Sequence, residues 1–305
     1  MSSTRALLTT ASTQLGLFTR AQALGAGFSA SAVDRRLGEG HWEPVLPGVY
    51  RQAGGLTSRR QLLLAAVLWA GPDAVASHAT AGHLWGLDGC RDDGPVELSA
   101  SRTRGLSAEG LSVHRPVRLD PADVTVTEGI PVTTVARTLL DLGGVVSSYW
   151  LEAALEDALR RGLVTIAELV ARVDDLGVRG RPGVAAVRRV IEERGDAAPL
   201  ESALEVRVWR LLRLSGLPLP RRQYPVEAGG ASYRLDFAWP HERVAVEADG
   251  YAVHGGREAF QSDRVRLTAL AGAGWRVLHV TWEDCSRRPE PFLRDLRRAL
   301  AGVAA

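Results

Sequence analysis

The sequence of 305 residues contains no lysine, so all 37 of its strongly basic side chains are arginines. A catalytic lysine is therefore excluded, and arginine is a poor substitute as a proton acceptor because it stays protonated. The net charge is also small, with a formal value of +2 at neutral pH. Nucleic-acid affinity would then depend on local arginine patches, because the chain as a whole produces only a weak field.

Cysteine is almost absent: Cys90 and Cys285 are the only two, and they form no recognisable motif. A disulfide framework is therefore excluded, and we expect both thiols to be reduced. His78, His83 and His114 lack an accompanying set of ligand spacings, which favours structural roles over a zinc site. No apolar run approaches the length of a membrane span or of a signal peptide. These absences predict a cytoplasmic, nucleoid-associated protein with no membrane partner.

The most informative segment is a pair of strand-like runs, 233–239 and 243–249, separated by a Pro-His-Glu turn signal. A hairpin with an even loop at this turn pairs Trp239 with Val244. Three residues further from the turn, Asp236 then stands opposite Glu247.

Side-chain alternation in this hairpin predicts one apolar face and one charged face. The predicted apolar face consists of Leu235, Phe237, Trp239, Val244 and Val246. The predicted charged face consists of Arg234, Asp236, Glu247 and Asp249.

Like charges opposite each other destabilise a ladder, so the paired acids favour a cation between them. Mg²⁺, with Mn²⁺ as a substitute, takes carboxylate oxygens and bridges to phosphates, which suits phosphodiester hydrolysis. The alternative interpretation is an ordinary hairpin with a solvated polar face.

Five short motifs occur in order along the last third of the chain: Leu235-Asp-Phe237, Val246-Glu-Ala-Asp-Gly250, His254, Asp263-Arg264 and Gly274-Trp-Arg-Val-Leu278. Together they resemble the restriction-endonuclease-like superfamily, with the very-short-patch-repair endonucleases as the most similar branch. The resemblance implies an α/β domain in which Glu201 is the acid of the first helix. It also implies that Asp236 is the central metal ligand and Glu247 the second.

The sequence departs from this superfamily at the position of its usual lysine. Asp249 stands there and adds a third carboxylate to the predicted metal ligands. Glu201 and Asp249 would orient water or complete the metal surroundings. The resemblance and a pKa near 6.5 favour His254 as the group that assists proton transfer, while a surface or capping role is the alternative.

Arginines follow the hairpin in a predicted helix over 256–271. Arg257, Arg264 and Arg266 are expected to hold DNA phosphates, with Asp263 ordering the site. The alternative is a solvated helix face.

The amino-terminal segment predicts a helix capped by Thr19, a turn, a second helix behind Ser29 and a small hairpin over 42–50. That order is typical of a winged helix-turn-helix. The segment resembles the amino-terminal domain of abortive-infection type IV antitoxin regulators, including the ending Pro-Gly-Val-Tyr at position 50. Its predicted DNA contacts are Arg35, Arg36 and Arg51, and the alternative is a protein-interaction module.

We therefore predict three domains: a winged helix-turn-helix over 1–55, a mixed α+β domain over 56–195 and an α/β endonuclease-like domain over 196–305. The predicted function is metal-dependent hydrolysis of double-stranded DNA in repair or defence, guided by the winged helix. The alternative is a non-catalytic DNA-binding regulator or antitoxin with a degenerate nuclease fold and a toxin or other protein partner.

Overall fold

The computed structural model describes residues 3–55, 58–101, 107–177, 182–194, 200, 202–249 and 257–302. For residues 182, 257–260 and 286 only the backbone is described. Within these limits, no helix is long and apolar enough to cross a membrane.

The chain divides into two compact units. The first unit contains residues 1–146 and 166–188, and the second contains residues 147–165 and 189–305. The predicted boundary between the middle and last domains falls in 195–199, outside the described residues. The three-domain division therefore stays a prediction.

The first unit begins with three helices and a small antiparallel sheet of strand order β1-β3-β2. These elements are α1 Ser3–Thr13, β1 Leu17–Thr19, α2 Arg20–Gly25, α3 Ala30–Gly38, β2 Trp42–Leu46 and β3 Val49–Gln52. Both predicted helix caps are confirmed. The Thr19 hydroxyl accepts from Gln22 N at 3.1 Å, and the Ser29 hydroxyl accepts from Ala32 N at 3.1 Å. Such caps satisfy amide groups that a helix start leaves unbonded.

The rest of the first unit contains a five-stranded mixed sheet of order β6-β5-β4-β8-β7. Its elements are α4 Arg59–Ala70, β4 Val75–Ala76, α5 His78–Leu84, β5 Val96–Ser99, β6 Leu111–His114, β7 Val124–Thr127, β8 Ile130–Thr133, α6 Val135–Leu142 and α8 Ile166–Leu176. Helix α6 begins with a side-chain cap, because the Thr134 hydroxyl accepts from Arg137 N. Gly183 packs so closely that a Cβ there would lie 1.9 Å from Leu140 O, which excludes other residues.

The second unit is built on a four-stranded sheet of order β12-β11-β10-β9. Its elements are α7 Ser148–Arg160, α10 Ala203–Leu214, β9 Arg221–Ala228, β10 Ala231–Trp239, β11 Val244–Ala248, α11 Arg257–Gly272, β12 Arg276–Val280, α12 Trp282–Ser286 and α13 Pro289–Ala301. One further helix, α9 Pro182–Arg194, has residues in both units. Strands β11 and β12 are parallel, so α11 is the crossover between them.

Both faces of this sheet are covered, which corrects the prediction of one apolar and one purely charged face. Phe237, Trp239, Val244 and Val246 pack with α10 and α13 in one cluster. On the other face, Leu235 packs in a separate cluster with Leu270 of α11. The prediction that Leu235 shares a face with Phe237 is therefore wrong. Alternation is interrupted between these two residues, because the pairing of β10 with β9 skips Asp236 and Gln223 of β9 has a φ of 50°.

Candidate active site

The hairpin of β10 and β11 has the predicted register. Trp239 pairs with Val244 and Phe237 with Val246, where the ladder ends, and Asp236 and Glu247 are the residues next to this last pair. The Asp236 carboxylate also accepts a hydrogen bond from Ala248 N at 2.9 Å. That contact fixes Asp236 at the end of β11, beside Glu247.

Glu247 is a buried acid, with 8% of its surface exposed. Arg266 of α11 donates to Glu247 Oε1 at 2.9 Å and to Arg234 O at 3.0 Å. Burial raises the pKa of Glu247 to about 7, the nearby Asp236 carboxylate adds to the rise, and Arg266 opposes it. At neutral pH the protein therefore holds this side chain between its two protonation states, because a second negative charge so close to Asp236 is costly.

A cavity of about 70 Å³ lies next to Glu247. Its wall includes Asp249, Asp263, Arg266 and His279. A space of this size holds a few water molecules, and its polar lining gives them hydrogen-bonding partners. The site therefore has room for water and is lined by side chains of both signs of charge.

His279 is a site residue that sequence reasoning missed. It lies directly beside Glu247 in the parallel pairing of β11 and β12. Its Nδ1 atom is 3.0 Å from Asp249 Oδ2, so the two form a hydrogen-bonded pair. A βαβ interpretation of residues 244–280 would have placed this histidine beside the acids, because parallel strands bring together residues more than thirty positions apart.

The predicted metal ligands are only partly brought together. Asp236 and Glu247 are neighbours, whereas Asp249 is turned towards His279 and half exposed. In the described part of the chain, no group of three or more His, Cys, Asp or Glu side chains is arranged to hold a metal ion. Mg²⁺ is commonly held by one or two carboxylates with water and substrate oxygens completing the shell, so the chemistry of the Asp236 and Glu247 pair fits that ion.

Two predicted catalytic residues, Glu201 and His254, lie outside the described residues, and their roles stay predictions. The Arg257 side chain is likewise not described. Arg264 is exposed on α11. Arg266 was predicted to face outward and hold phosphate, but the structure places its guanidinium against Glu247.

The three predicted DNA-contacting arginines of the first unit have different surroundings. Arg35 is exposed on α3. The Arg36 guanidinium lies over the rings of Phe28 and Trp42, 5.1 Å and 5.4 Å from their centres. Arg51 is engaged with Glu43 at 2.9 Å and with Gln61 at 3.2 Å. Of the three side chains, only that of Arg35 faces solvent. The DNA contacts of all three remain predictions.

Comparison with protein families defines the class of protein. Residues 204–300 match the restriction-endonuclease-like family REase_MTES_1575. Residues 5–52 match a family described as transcriptional regulator, AbiEi antitoxin. The resemblances inferred from the sequence motifs are confirmed: the chain combines an AbiEi-type regulator domain with a restriction-endonuclease-like domain.

Two curated relatives cover most of the chain. The uncharacterized proteins MT2308 and Rv2248 of Mycobacterium tuberculosis, from strains CDC 1551 / Oshkosh and ATCC 25618 / H37Rv, are each 30% identical over 239 residues. The alignment covers 78% of this chain and 85% of each relative, so the chain belongs to their family. A crystal structure of RV2827C protein from Mycobacterium tuberculosis aligns with a TM-score of 0.43 and 13% identity, covering 75% of this chain and 90% of that one.

Proposed function

We propose that this protein is a divalent-metal-dependent DNA endonuclease that its amino-terminal domain guides to double-stranded DNA. The observation that carries the proposal is the proximity of the half-buried Asp236 to the buried Glu247, which contributes to a Glu247 pKa of about 7. Two carboxylates this close are costly unless a cation or a proton compensates them. The restriction-endonuclease-like match of residues 204–300 supports the same function.

In this proposal Asp236 and Glu247 hold Mg²⁺ or Mn²⁺. The ion, when bound, supplies a water of lowered pKa and stabilises charge on the phosphate oxygens. Ala248 N fixes the orientation of the Asp236 carboxylate. His279 orients Asp249 at the edge of the cavity, where that carboxylate accepts hydrogen bonds from water. Asp249, Glu201 and His254 keep the accessory roles that the sequence predicts.

The amino-terminal domain supplies DNA affinity in this proposal. Its order of helix, strand, two helices and hairpin is the order of a winged helix-turn-helix. Arg35 lies exposed in α3, at the position of the helix that would approach the duplex. The match of residues 5–52 to AbiEi-type transcriptional regulators supports DNA as the partner.

Metal binding is tested by calorimetric titration of Mn²⁺ into the full chain and into the variant Asp236→Asn, which keeps the shape of the side chain and removes its charge. Cleavage of supercoiled duplex DNA is measured on the same samples. The control variant is Glu242→Gln, which removes a carboxylate from the turn of the same hairpin. We expect the parent and E242Q proteins to bind Mn²⁺ and cleave, and D236N to do neither. Equal cleavage by D236N and the parent would contradict the proposal.

A second function is favoured by a specific observation. Arg266 forms an ion pair with Glu247 at 2.9 Å, as a domain that had lost catalysis would require. In that case the protein is a DNA-binding regulator or antitoxin that uses its restriction-endonuclease-like domain as a scaffold, with a toxin or other protein as partner. The same titration separates the two functions, because the regulator binds duplex DNA and gives no Mn²⁺ signal that depends on Asp236.

A further inference from the structure

The first unit contains an apolar pocket of about 530 Å³ beside helix α1. Leucines of α1 and the rings of Phe18, Phe28 and Trp42 contribute to its wall. Leu8 and Leu15 at this pocket are 45% and 37% exposed, so apolar side chains face the space. Pockets of this volume with mostly apolar walls and a few polar groups are typical of small-molecule sites.

The charged side chains among the described lining residues of this pocket are all positive. Arg36 and Arg51 line the pocket, and no aspartate or glutamate is among its described lining residues. Arg51 is already neutralised by Glu43 at 2.9 Å. The Arg36 side chain has no hydrogen bond or ion pair with any residue of the described part, and its Nε atom is enclosed. The uncompensated charge of the pocket is therefore the terminal end of the Arg36 guanidinium.

Two aromatic rings hold that guanidinium in place. It lies 5.1 Å from the centre of Phe28 and 5.4 Å from that of Trp42, and these two rings are themselves 5.2 Å apart. Stacking on rings fixes the plane of an arginine and leaves its terminal nitrogens to form a two-pronged contact with a carboxylate. The two rings meet edge to face, at 69°, and form an aromatic corner beside the guanidinium that suits a ligand with a flat ring of its own.

We propose that this pocket binds a small planar aromatic carboxylate, with its ring against the leucines of α1 and its carboxylate on Arg36. Charge complementarity selects an anion, because the lining contains an unpaired cation and no acid. The volume and the apolar wall select a ring system of one or two rings. The inference concerns the first unit alone and does not depend on nuclease activity or on DNA binding.

The test uses naphthalene-2-carboxylate and its uncharged analogue naphthalene-2-carboxamide, titrated calorimetrically into the full chain. We expect the carboxylate to bind at least about tenfold more tightly, the difference that one charge-assisted contact provides. In Arg36→Met, which keeps an unbranched apolar stem, this ratio should fall to about one because the charge is gone. Arg35→Met, an exposed neighbour on the same helix, is the matched control and should keep the parent ratio.

A second variant tests the proposal independently, in case R36M does not fold. Leu8→Glu changes an exposed residue at the pocket and adds a negative charge, so it should weaken the carboxylate more than the carboxamide. An unchanged ratio in a folded R36M, or an equal affinity of the parent for both compounds, would overturn the proposal and indicate a pocket for an apolar peptide segment. Absence of binding of both compounds to the parent protein would overturn it as well.

Discussion

The two units of this protein differ in the charges that surround a buried acidic side chain. In the first unit, Asp123 is 1% exposed and is bound by two arginines, at 2.9 Å from Arg137 and 2.7 Å from Arg172. In the second, Glu247 is bound by Arg266 but also faces the carboxylate of Asp236. Removing a cation from a buried, matched acid is costly because it leaves an unpaired charge, whereas two neighbouring acids repel each other until a ligand or a proton relieves the repulsion.

The largest expected effect comes from breaking the matched cluster. Arg137→Met should destabilise the first unit by ~3–5 kcal/mol, because it leaves Asp123 charged and buried with one cation fewer. Arg266→Met should cost the metal-free second unit only ~1 kcal/mol, because Glu247 can take up a proton instead. Urea unfolding followed by hydrogen exchange in each unit measures both values. Equal losses would show that the two clusters do not differ as proposed.

The next effect is the pH dependence of the second unit. Its origin is Glu247, whose pKa is raised to about 7 by burial and by Asp236. Because the pKa of Glu247 is higher in the folded than in the unfolded state, Glu247 contributes its full stabilisation below about pH 4.3. This contribution is lost as the pH rises through 7. Metal-free protein should therefore lose ~2–3 kcal/mol of stability in the second unit between pH 4.5 and pH 8. Glu247→Gln should flatten the dependence, and a parent curve that rises over this range would contradict it.

The first unit should respond to pH in the opposite direction. Burial, reinforced by the stacked ring of His114, lowers the pKa of His78 to about 4. A histidine with a depressed folded pKa contributes fully above about pH 6.5, and its contribution is lost as the pH falls towards 4. We expect a loss of ~2 kcal/mol in the first unit over that interval. His78→Gln should remove most of it, as measured by thermal unfolding at a series of pH values.

The smallest effect concerns the exposed arginine of α3. Arg35→Ala should reduce the slope of log affinity for duplex DNA against log salt by about one, the effect of one lost phosphate contact. Arg294→Ala, which removes an exposed arginine from α13, is the control and should leave the slope unchanged. Fluorescence anisotropy with a labelled duplex at several salt concentrations makes the measurement. An unchanged slope in R35A would favour a protein-interaction role for the amino-terminal domain.

Local sequence signals predicted many of the elements. The caps at Thr19 and Ser29 and the pairing of Trp239 with Val244 are observed, and Asp236 and Glu247 lie next to the last pair of that ladder. These features depend on hydrogen bonds or pairings between residues close in the chain, so their spacing alone specifies them. Helix α1 and strand β4 were not predicted, because α1 has a weak apolar stripe and a two-residue strand has no periodicity to detect.

What the sequence by itself determined is the meeting of two carboxylates, since a tight hairpin permits only one register for its side chains. Only the tertiary structure decided what surrounds them. The crossover through α11 brings Arg266 to Glu247 and places His279 beside it, and Glu247 is buried while Asp236 is only half-buried. The sequence likewise does not distinguish Arg35 from its neighbour Arg36. The structure does, because Arg36 lies over the aromatic rings of Phe28 and Trp42. Charge and spacing are local properties of a chain, whereas burial, and with it the pKa of an acid or the partner of an arginine, depends on residues that folding brings from far away.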